Sequence, residues 1–588
     1  MKKSILLLSG LFMGFSSFAQ FPVSTTPQNK KVLLEEFTGV NCTYCPDGHL
    51  RANNLKTQYG DNFWPINIHV GGYATPGAGQ PDYRTPFGTA ISGQTGLTGY
   101  PAGTVNRSVL AGSMTAGQTA TGRTNWAGNT TTVRGQSAFV NIAVDAEIDE
   151  QTRQLRVITQ YYYTANGTGT TNKLNIALLQ NNIEGPQVGA AAFYAANIMP
   201  NGKYVHQHML RHLLTGQWGQ DITTITSGST STDTFYYTVP AALNGVAYDV
   251  TNLEVVAFIA EGQQNVINAS GKKVTVTNVA NVLDAAVLEM KTVDDVCPGS
   301  NSEQAWVKLK NNGSTPLTSV AFSYDANGGT ASTYTWTGNL AYGQSQYITL
   351  PALSYAAIAA NAFNVSITSV NGSADNISTN NTISKNFNLA AETTKNNITI
   401  KITLDDYGSE TSWVLKNSAG TTVASSPVYT DNTAGAQADV NLTLANDCYT
   451  FDMLDSYGDG MCCAYGNGSY QIWADGVLIP GMSGASFSDV DTRKYTVNFA
   501  PTGIEAAAPN TFRMFPNPTA SEFNLSFETT VNDATVKVVD IAGRVVLSEN
   551  ISNVNFHTMN VSQLSNGIYM VVIIADGKTT TEKLSVLK

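Results

Sequence analysis

An apolar run that leads into two closely spaced cysteines is the feature that most constrains the fold of this chain. Residues 32–45 read VLLEEFTGVNCTYC, with Cys42 and Cys45 at the end. The first part predicts a buried strand, and residues 46–58 are compatible with a helix. A Cys-x-x-Cys pair at the start of a helix lies near free backbone N–H groups and the positive end of the helix dipole. Both stabilise a thiolate, so the spacing predicts a reactive dithiol.

The segments that follow continue an α/β pattern. Residues 63–70, FWPINIHV, predict a second strand, and a Gly-rich loop then leads to Pro101 and a third strand over residues 104–109. This order is typical of a thioredoxin-like fold, in which a cis proline lies beside the dithiol. We therefore expect Pro101 next to the cysteines, where it leaves neighbouring backbone groups free to pair with a substrate chain. In that arrangement Cys42 is the attacking thiol, and Cys45 resolves the mixed disulfide.

Two other roles are open to the same cysteines. In an exported protein, Cys42 and Cys45 can form a purely structural disulfide. Together with His49 and His69 they can also supply four ligands of a zinc site. We expect His49 to face solvent, which weakens the zinc alternative.

The N-terminus has the three parts of a secretory signal peptide. Lys2 and Lys3 precede a short apolar stretch, and residues 17–19, SFA, form a small-x-small cleavage site. We expect the signal peptide over residues 1–19 and an exported mature chain. No later run reaches the ~20 apolar residues of a transmembrane helix. Removal of the two lysines takes the formal charge from -11 to -13, which disfavours nucleic acid and anionic lipid as partners.

The composition predicts a series of β domains. At about 150 residues per domain, 588 residues correspond to about four domains. Charged residues make up only 13% of the chain, and polar turns separate Tyr- and Val-rich alternating runs, which favours β-sandwiches. The predicted fold class is multidomain, with an α/β thioredoxin-like N-terminal domain, several all-β, Ig-like sandwiches and a small C-terminal β-sandwich. The predicted units are 1–19 (signal peptide), 20–126 (thioredoxin-like domain), 127–283 (β-sandwich with a short helical insert), 284–392 (Ig-like sandwich), 393–503 (Cys- and Asp-bearing β module) and 504–588 (linker and C-terminal domain).

The predicted helical insert, residues 204–214, carries two histidines at helical spacing. His208 and His212 are i,i+4 partners and can chelate a metal ion from one helix face. The sequence places no acidic residue between them and offers no evident third ligand. A polar helix packed on a sandwich explains the segment equally well.

An acidic cluster in residues 393–503 is a second candidate metal site. LDDYGSETSW and LDSYGDGMCC share an L-D-x-Y-G core, so two similar acidic turns can face one another. Their carboxylates are the hard oxygen ligands that Ca²⁺ prefers. The spacing is not that of an EF-hand loop, and aspartates that cap tight turns are the alternative. The candidate calcium ligands are Asp405, Asp406, Asp455 and Asp459.

Three further cysteines, Cys448, Cys462 and Cys463, lie in the same module. Adjacent cysteines rarely bond to each other, so we expect Cys448 to pair with one of the two. The other is then free or joined to Cys297. Such a bridge would stabilise a loop-rich sandwich.

These motifs resemble known families. Residues from about 30 to 285 are similar to the Omp28-related outer-membrane proteins, through VLLEEFTGVNCTYCPDG, NIHVGGY, TGYPAGTVNR and YVHQHMLRH. The tail from Phe512 resembles the type A C-terminal sorting domain of the type IX secretion system, through MFPNPTASEFNLSF, VVDIAGRVV, LSNGIYMVVI and KLSVLK. Residues 395–500 are similar to a β module that recurs in the same secreted proteins. The resemblance implies the type IX secretion machinery as a partner, removal of the tail, and either release or attachment to surface lipopolysaccharide.

One function and one alternative follow. The first is a secreted or cell-surface protein whose thioredoxin-like head carries out thiol–disulfide exchange. The alternative is a non-enzymatic adhesion or ligand-binding protein in which the Cys-x-x-Cys pair is a structural disulfide. The sequence contains no G-x-S-x-G or H-E-x-x-H motif, so hydrolase chemistry has no visible support.

Overall fold

The computed structural model of the chain is built mainly from β-strands. It describes residues 23–77, 79–291, 295–458, 460–463, 465–487, 489–500, 512–575 and 578–588. The chain forms two compact units, Met1–Phe499 and Ala500–Lys588. The predicted signal peptide, the candidate ligand Asp459 and residues 501–511 of the predicted linker lie outside the described residues.

Residues 23–283, which we call the head, contain strands interrupted by short helices. In chain order the main elements are β1 (Val32–Thr38), α1 (Cys45–Tyr59), β2 (Phe63–His69), α2 (Gly88–Gly93), β3 (Ala102–Val105), β4 (Ala120–Gly122), α3 (Trp126–Arg134), β5 (Val140–Asp149), β6 (Gln154–Tyr163), β7 (Asn172–Gln180), α4 (Ala190–Tyr194), β8 (Tyr204–His206), β9 (Met209–Leu213), β10 (Gln220–Ile222), β11 (Thr230–Thr238), β12 (Leu253–Glu261), β13 (Gln264–Lys273) and β14 (Thr275–Thr277). The first predicted strand, the first helix and the second strand are each confirmed within one residue. The third strand is shorter than predicted, because Asn106 and Arg107 adopt positive φ angles of 50° and 46°.

A nine-stranded sheet joins the two N-terminal units whose predicted boundary is residue 126. Its order is β13-β12-β7-β9-β2-β1-β3-β4, with β10 also paired to β7. β1 and β2 run parallel, as a strand–helix–strand crossover through α1 requires. The two cysteines therefore lie where β1 ends and α1 begins, and β1 is an interior strand of a sheet whose other strands continue far beyond residue 126.

Both faces of this sheet are covered. A four-stranded sheet in the order β11-β6-β5-β14 packs on one face, with Val144 and Val157 against Ile176 and Val255. The helices α1 and α3 pack on the same face near β1, and α2 packs on the other face near β2 and β12. β7 is buried on both sides, which explains its nearly continuous apolar run.

Residues 204–214 form strands, so the predicted helical insert at this position is wrong. β8 and β9 occupy the segment, and His208 lies between them with a φ of 52°. β9 lies between β2 and β7, where an extended chain can pair with the backbone groups of both neighbours. His208 Nδ1 is 2.7 Å from Glu254 Oε2, and the His212 ring stacks on Tyr237 at a centroid distance of 4.5 Å. The two histidines therefore do not form a helical metal-binding pair.

The second sandwich follows the head and has two main sheets. Its strands are β15 (Ala285–Lys291), β16 (Trp306–Asn311), β17 (Leu317–Ala326), β18 (Ser332–Leu340), β19 (Ser345–Thr349), β20 (Ala360–Val370) and β21 (Thr382–Leu389). One sheet has the order β15-β16-β19, and the other runs from Asp295–Val296 through β21-β20-β17-β18. A separate pair joins Ser300–Glu303 to Leu353–Ala356. Phe322, Phe363 and Trp336 are buried between the layers.

The third β module is a sandwich of two sheets. Its strands are β22 (Ala391–Thr393), β23 (Asn397–Leu404), β24 (Thr411–Lys416), β25 (Thr422–Ser425), β26 (Val440–Thr443), β27 (Asp447–Asp455), β28 (Ser469–Ala474), β29 (Val477–Gly484) and β30 (Val490–Val497). One sheet has the order β22-β30-β27-β24-β25. The other has the order β23-β28-β29, with β26 and the short Gly435–Ala436 also paired to β23. Trp413, Phe451 and Tyr470 fill the space between the sheets.

The disulfide pairing in this region differs from the prediction. Cys448 bonds to Cys297 of the second sandwich, with Cα atoms 5.8 Å apart, and Cys462 bonds to its neighbour Cys463. Cys448 lies at the start of β27, whereas residues 462 and 463 follow the other end of that strand. An extended strand of this length holds the two positions well apart, so the expected bridge cannot form.

The C-terminal unit is a five-stranded sheet with its own buried core. The strands are β31 (Phe512–Phe515), β32 (Glu522–Val539), β33 (Val545–Asn560), β34 (Gly567–Ala575) and β35 (Lys578–Val586). Their order is β31-β32-β34-β35, with β33 also paired to β32. Phe523, Val538 and Val571 are among the buried residues.

Candidate functional site

Cys42 and Cys45 form a disulfide at the junction of β1 and α1. Their Cα atoms are 5.4 Å apart. The Cys42 backbone N–H donates to Gly39 O, and that of Cys45 donates to Cys42 O, both at 3.1 Å. Cys45 is the first residue of α1, and Cys42 lies in the turn before it. Cys42 and Cys45 are only 3% and 0% exposed. The pair is therefore buried as well as oxidised.

Pro101 and Glu36 both contact the first turn of α1 at Gly48. A Cβ atom at Gly48 would lie 2.4 Å from Glu36 Oε1 and 3.1 Å from Pro101 Cβ. The Tyr100–Pro101 peptide bond is cis, and Pro101 is buried. Glycine is the residue that allows a ring and a carboxyl group to approach the helix this closely. The structure thus places Pro101 against the turn that follows Cys45.

Two adjacent glutamates of β1 are buried, and they differ in their hydrogen-bond partners. Glu35 accepts hydrogen bonds from Arg107 Nε and Nη2 at 2.7 and 2.6 Å. Glu36 is 0% exposed, and neither of its carboxylate oxygens has a hydrogen-bond partner among the described residues. Burial holds the pKa of Glu36 well above its usual range, although the nearby Arg123 opposes this shift. A carboxyl group that favours its neutral form is a candidate proton donor or acceptor one turn from Cys45.

His49 is buried on the inner face of α1, so the expectation that it faces solvent is wrong. The residue is 4% exposed. Its Nε2 atom is hydrogen-bonded to Thr38 Oγ1 and its Nδ1 atom to the Tyr204 hydroxyl, both at 2.9 Å. The same Nε2 atom is 3.9 Å from Glu36 Oε1. β8, which carries Tyr204, covers this helix face and excludes water from it.

Two more histidines continue this buried group. The His206 ring is 6.3 Å from that of His49 and 5.5 Å from that of His69, centroid to centroid. Burial lowers the pKa of His49 to about 3 and that of His206 to about 4, and it lowers the pKa of His69 well below its usual value. The three imidazoles are therefore neutral at neutral pH.

The zinc alternative does not fit this arrangement. Cys42 and Cys45 are bonded to each other and cannot act as thiolate ligands. Within the described part of the chain, no three His, Cys, Asp or Glu side chains are arranged to hold a metal ion.

A segment far away in sequence covers the disulfide. We call residues 186–193 the cover segment. Gln187 Nε2 donates to Gly39 O at 3.2 Å and to Cys42 O at 3.1 Å. The Val188 backbone N–H donates to Val40 O at 2.9 Å. The cover segment is thus hydrogen-bonded to the backbone on both sides of the turn that leads into Cys42.

The rest of the cover segment packs on the residues between the cysteines. A Cβ atom at Gly189 would lie 2.0 Å from Thr43 O, so the two backbones touch. The Phe193 ring packs on the Tyr44 ring at a centroid distance of 5.0 Å. The Gly189 N–H donates to Tyr457 O of the third module at 3.1 Å. The third module therefore helps to hold the cover segment over the dithiol position.

Sequence reasoning missed Glu36 and the cover segment. Two adjacent acids inside the apolar run VLLEEFT were a usable signal for a buried carboxyl group. Gln187 gave no such signal, because 145 residues separate it from Cys42.

The two acidic turns of the third module adopt the same local geometry. Asp405 Oδ1 accepts a hydrogen bond from the Tyr407 N–H at 3.0 Å, and Asp455 Oδ1 accepts one from the Tyr457 N–H at 2.8 Å. Burial raises the pKa of Asp405, and the nearby Asp455 adds to this shift. Both carboxylates thus cap tight turns and lie close together, whereas Asp406 is exposed.

The family comparisons identify two parts of the chain. Residues 89–278 match the family model described as outer membrane protein Omp28. This match includes the cover segment and every strand of the large sheet except β1 and β2, and it begins after the cysteines. Residues 513–587 match the secretion system C-terminal sorting domain. The protein is therefore secreted or located on the outer-membrane cell surface, and none of its described helices is long and apolar enough to cross a membrane.

Solved structures from Porphyromonas gingivalis show more distant similarity. HBP35 is 17% identical with a TM-score of 0.34, over 62% of this chain and 99% of HBP35. A domain of the outer membrane lipoprotein Omp28 is 18% identical with a TM-score of 0.16, over 24% of this chain and 90% of that domain. Among curated proteins, none matches this chain at a significant level.

Proposed function

We propose that the head is a thioredoxin-like unit that carries out thiol–disulfide exchange at the cell surface. The observation that carries this proposal is the Cys42–Cys45 disulfide between β1 and α1, with Pro101 against the same helix turn. The buried Glu36 adds a proton-exchanging group next to that turn.

The chemistry needs the reduced pair. The Cys42 thiolate attacks a substrate disulfide, forms a mixed disulfide and releases one substrate thiolate. Cys45 then attacks Cys42 Sγ, which restores the Cys42–Cys45 disulfide and releases the second substrate thiol. Two electrons pass to the substrate, so each turnover requires a reductant for the pair. The covered, oxidised pair in the structure corresponds to the resting state of this cycle.

Insulin reduction and the refolding of scrambled ribonuclease test the proposal. With dithiothreitol as electron donor, we expect the native protein to accelerate both reactions and Cys42→Ser to abolish the acceleration. The double variant Cys297→Ser/Cys448→Ser is the matched control, because it removes a disulfide outside the head. Equal activity of native protein and Cys42→Ser, or no activity in either, would refute the exchange function.

The burial of the pair favours a second candidate, a non-enzymatic adhesion or ligand-binding protein with a structural disulfide. Both cysteines are buried, the cover segment is hydrogen-bonded to the Cys42 carbonyl, and a nucleophile needs access to its target. Counting thiols on the native secreted protein, with and without mild reductant, separates the two. A pair that stays oxidised until the protein is denatured supports the structural role.

We also propose that the acidic turns bind calcium through Asp405 and Asp455, with Asp406 and Asp459 as further candidate ligands. The two buried carboxylates lie close together, and a cation would relieve their repulsion. We expect Ca²⁺ to raise the melting temperature of the protein and a chelator to reverse the rise. The variant Asp405→Asn should lose this response, whereas the exposed Asp431→Asn should keep it; no response in the native protein contradicts the proposal.

A further inference from the structure

A cavity of about 680 Å³ lies beside the cover segment, between the head and the third β module. Asn41 and Tyr73 belong to its head wall, Gln187 to the cover segment, and Tyr465 and Phe487 to the third module. Its volume falls within the range of about 300–1,000 Å³ that is usual for small-ligand sites. Neither the exchange chemistry nor the acidic turns account for this cavity.

The charges of the wall exclude several classes of ligand. None of the described lining residues is Lys, Arg or His, and Asp489 supplies the sole carboxylate among them. Phosphates and carboxylates would find no cation to pair with, and a metal ion would lack a ligand set. A purely apolar ligand is also disfavoured, because it would remove water from the side-chain amides of Asn41 and Gln80.

The aromatic residues favour a ligand with flat apolar faces. Tyr73 and Tyr465 are 48% and 43% exposed, and Phe487 is half-buried. Large aromatic side chains that stay exposed at a cavity commonly mark a binding surface, because water contact with their rings is unfavourable. Tyr73 belongs to the head and Tyr465 to the third module, so a ligand in the cavity can contact aromatic rings from both.

Gln187 joins the cavity wall to the dithiol turn. It is 8% exposed and lines the cavity, and its Nε2 atom donates to the Gly39, Cys42 and Val188 carbonyls. Its Oε1 atom is buried and lies out of reach of a ligand in the cavity. The half-buried amides of Asn41 and Gln80 are the ones that the hydroxyl groups of a ligand can contact, directly or through water.

We propose that this cavity binds a neutral oligosaccharide. Sugar rings offer C–H faces to aromatic side chains and hydroxyl groups to amides and a carboxylate, and they carry no charge that the wall would have to neutralise. A polypeptide fits less well. Apart from Tyr204 of β8, the described lining residues lie outside strands, so the cavity offers no free strand edge for an extended peptide.

The test uses the full secreted protein and an array of neutral and acidic oligosaccharides, followed by calorimetry with the neutral oligosaccharide that binds best. We expect neutral members to bind and Tyr73→Ala and Tyr465→Ala each to weaken binding by about tenfold or more. Tyr236→Ala is the matched control, since Tyr236 is 66% exposed on β11 and does not line the cavity. It should bind as the native protein does.

The variants are expected to fold, because both tyrosines are substantially exposed; equal melting temperatures check this. The outcome is separable from the exchange function, because the Cys42→Ser variant should keep oligosaccharide binding while it loses exchange. Absence of neutral oligosaccharide binding at millimolar concentration overturns the proposal. So does equal affinity of Tyr73→Ala and native protein, or binding restricted to charged glycans or to unfolded polypeptides.

Discussion

Gln187 Nε2 lies 3.1 Å from the Cys42 carbonyl oxygen, although 145 residues separate the two in sequence. The contact joins the dithiol turn to the segment that also pairs with Val40 and touches Thr43. Any reaction of Cys42 with a large partner therefore requires the cover segment to move. Access to the cysteines is set by the stability of this cover as well as by the chemistry of the thiols.

Gly189→Ala should loosen the cover segment. The added Cβ would meet the Thr43 backbone, and the φ of +74° at Gly189 already disfavours alanine. If the clash costs about 1.4 kcal/mol, the open state becomes about tenfold more populated, and reduction of Cys42–Cys45 by dithiothreitol accelerates accordingly. Gly216→Ala is the control, because Gly216 has a φ of +73° and nothing within 4 Å of the new Cβ. An unchanged reduction rate in Gly189→Ala would contradict the covering role.

Glu36→Gln should remove a pH dependence of stability. Burial raises the pKa of Glu36 in the folded protein, so its contribution to stability is fully present below the unfolded value and is lost as pH rises through the folded pKa. The native protein should lose up to about 1.4 kcal/mol per pH unit in that window, and Glu36→Gln should not. Melting temperatures measured from pH 5 to pH 9 check this. Parallel pH profiles of the two proteins would mean that Glu36 is not held protonated.

His206→Gln should flatten the acid side of the same profile. The pKa of His206 is lowered to about 4 by burial, so unfolded chains bind a proton below about pH 6.5 that the folded head does not. Stability is therefore lost as pH falls from about 6.5 to 4, by up to about 1.4 kcal/mol per pH unit for this group. Melting curves of His206→Gln and of the control His557→Gln, in the C-terminal unit, show whether the slope belongs to the buried group. The control should retain the native slope.

Removal of the Cys297–Cys448 bridge should lower stability more than removal of Cys462–Cys463. The first bridge closes a separation of 151 residues, and the second closes a separation of 1. Loop closure in the unfolded chain makes the first worth about 3–5 kcal/mol, whereas the second constrains almost no chain. Calorimetry of the double variants Cys297→Ser/Cys448→Ser and Cys462→Ser/Cys463→Ser measures the difference. Equal melting temperatures would contradict the pairing.

Local patterns along the chain predicted individual elements well. The first strand, α1 and the second strand lie within one residue of their predicted bounds. Apolar runs and helix starts depend on residues that are adjacent in sequence, so they can be recognised locally. The helix predicted for the segment with His208 and His212 was wrong. The spacing of the two histidines fits a helix, but the segment lies between β2 and β7, where only a strand can pair with both neighbours. Backbone hydrogen bonding to the two neighbouring strands outweighed the local sequence pattern.

The position of the dithiol, the β-rich character of the chain and its export could be predicted from short stretches of sequence, since each depends on residues close together in the chain. The burial of the pair, the burial of Glu36 and His49 beside it, and the bond between Cys448 and Cys297 follow only from the folded structure. These properties depend on contacts between residues that are 145 to 155 positions apart in sequence. Only the packing of the sheets brings such segments together, and that packing has no local signature.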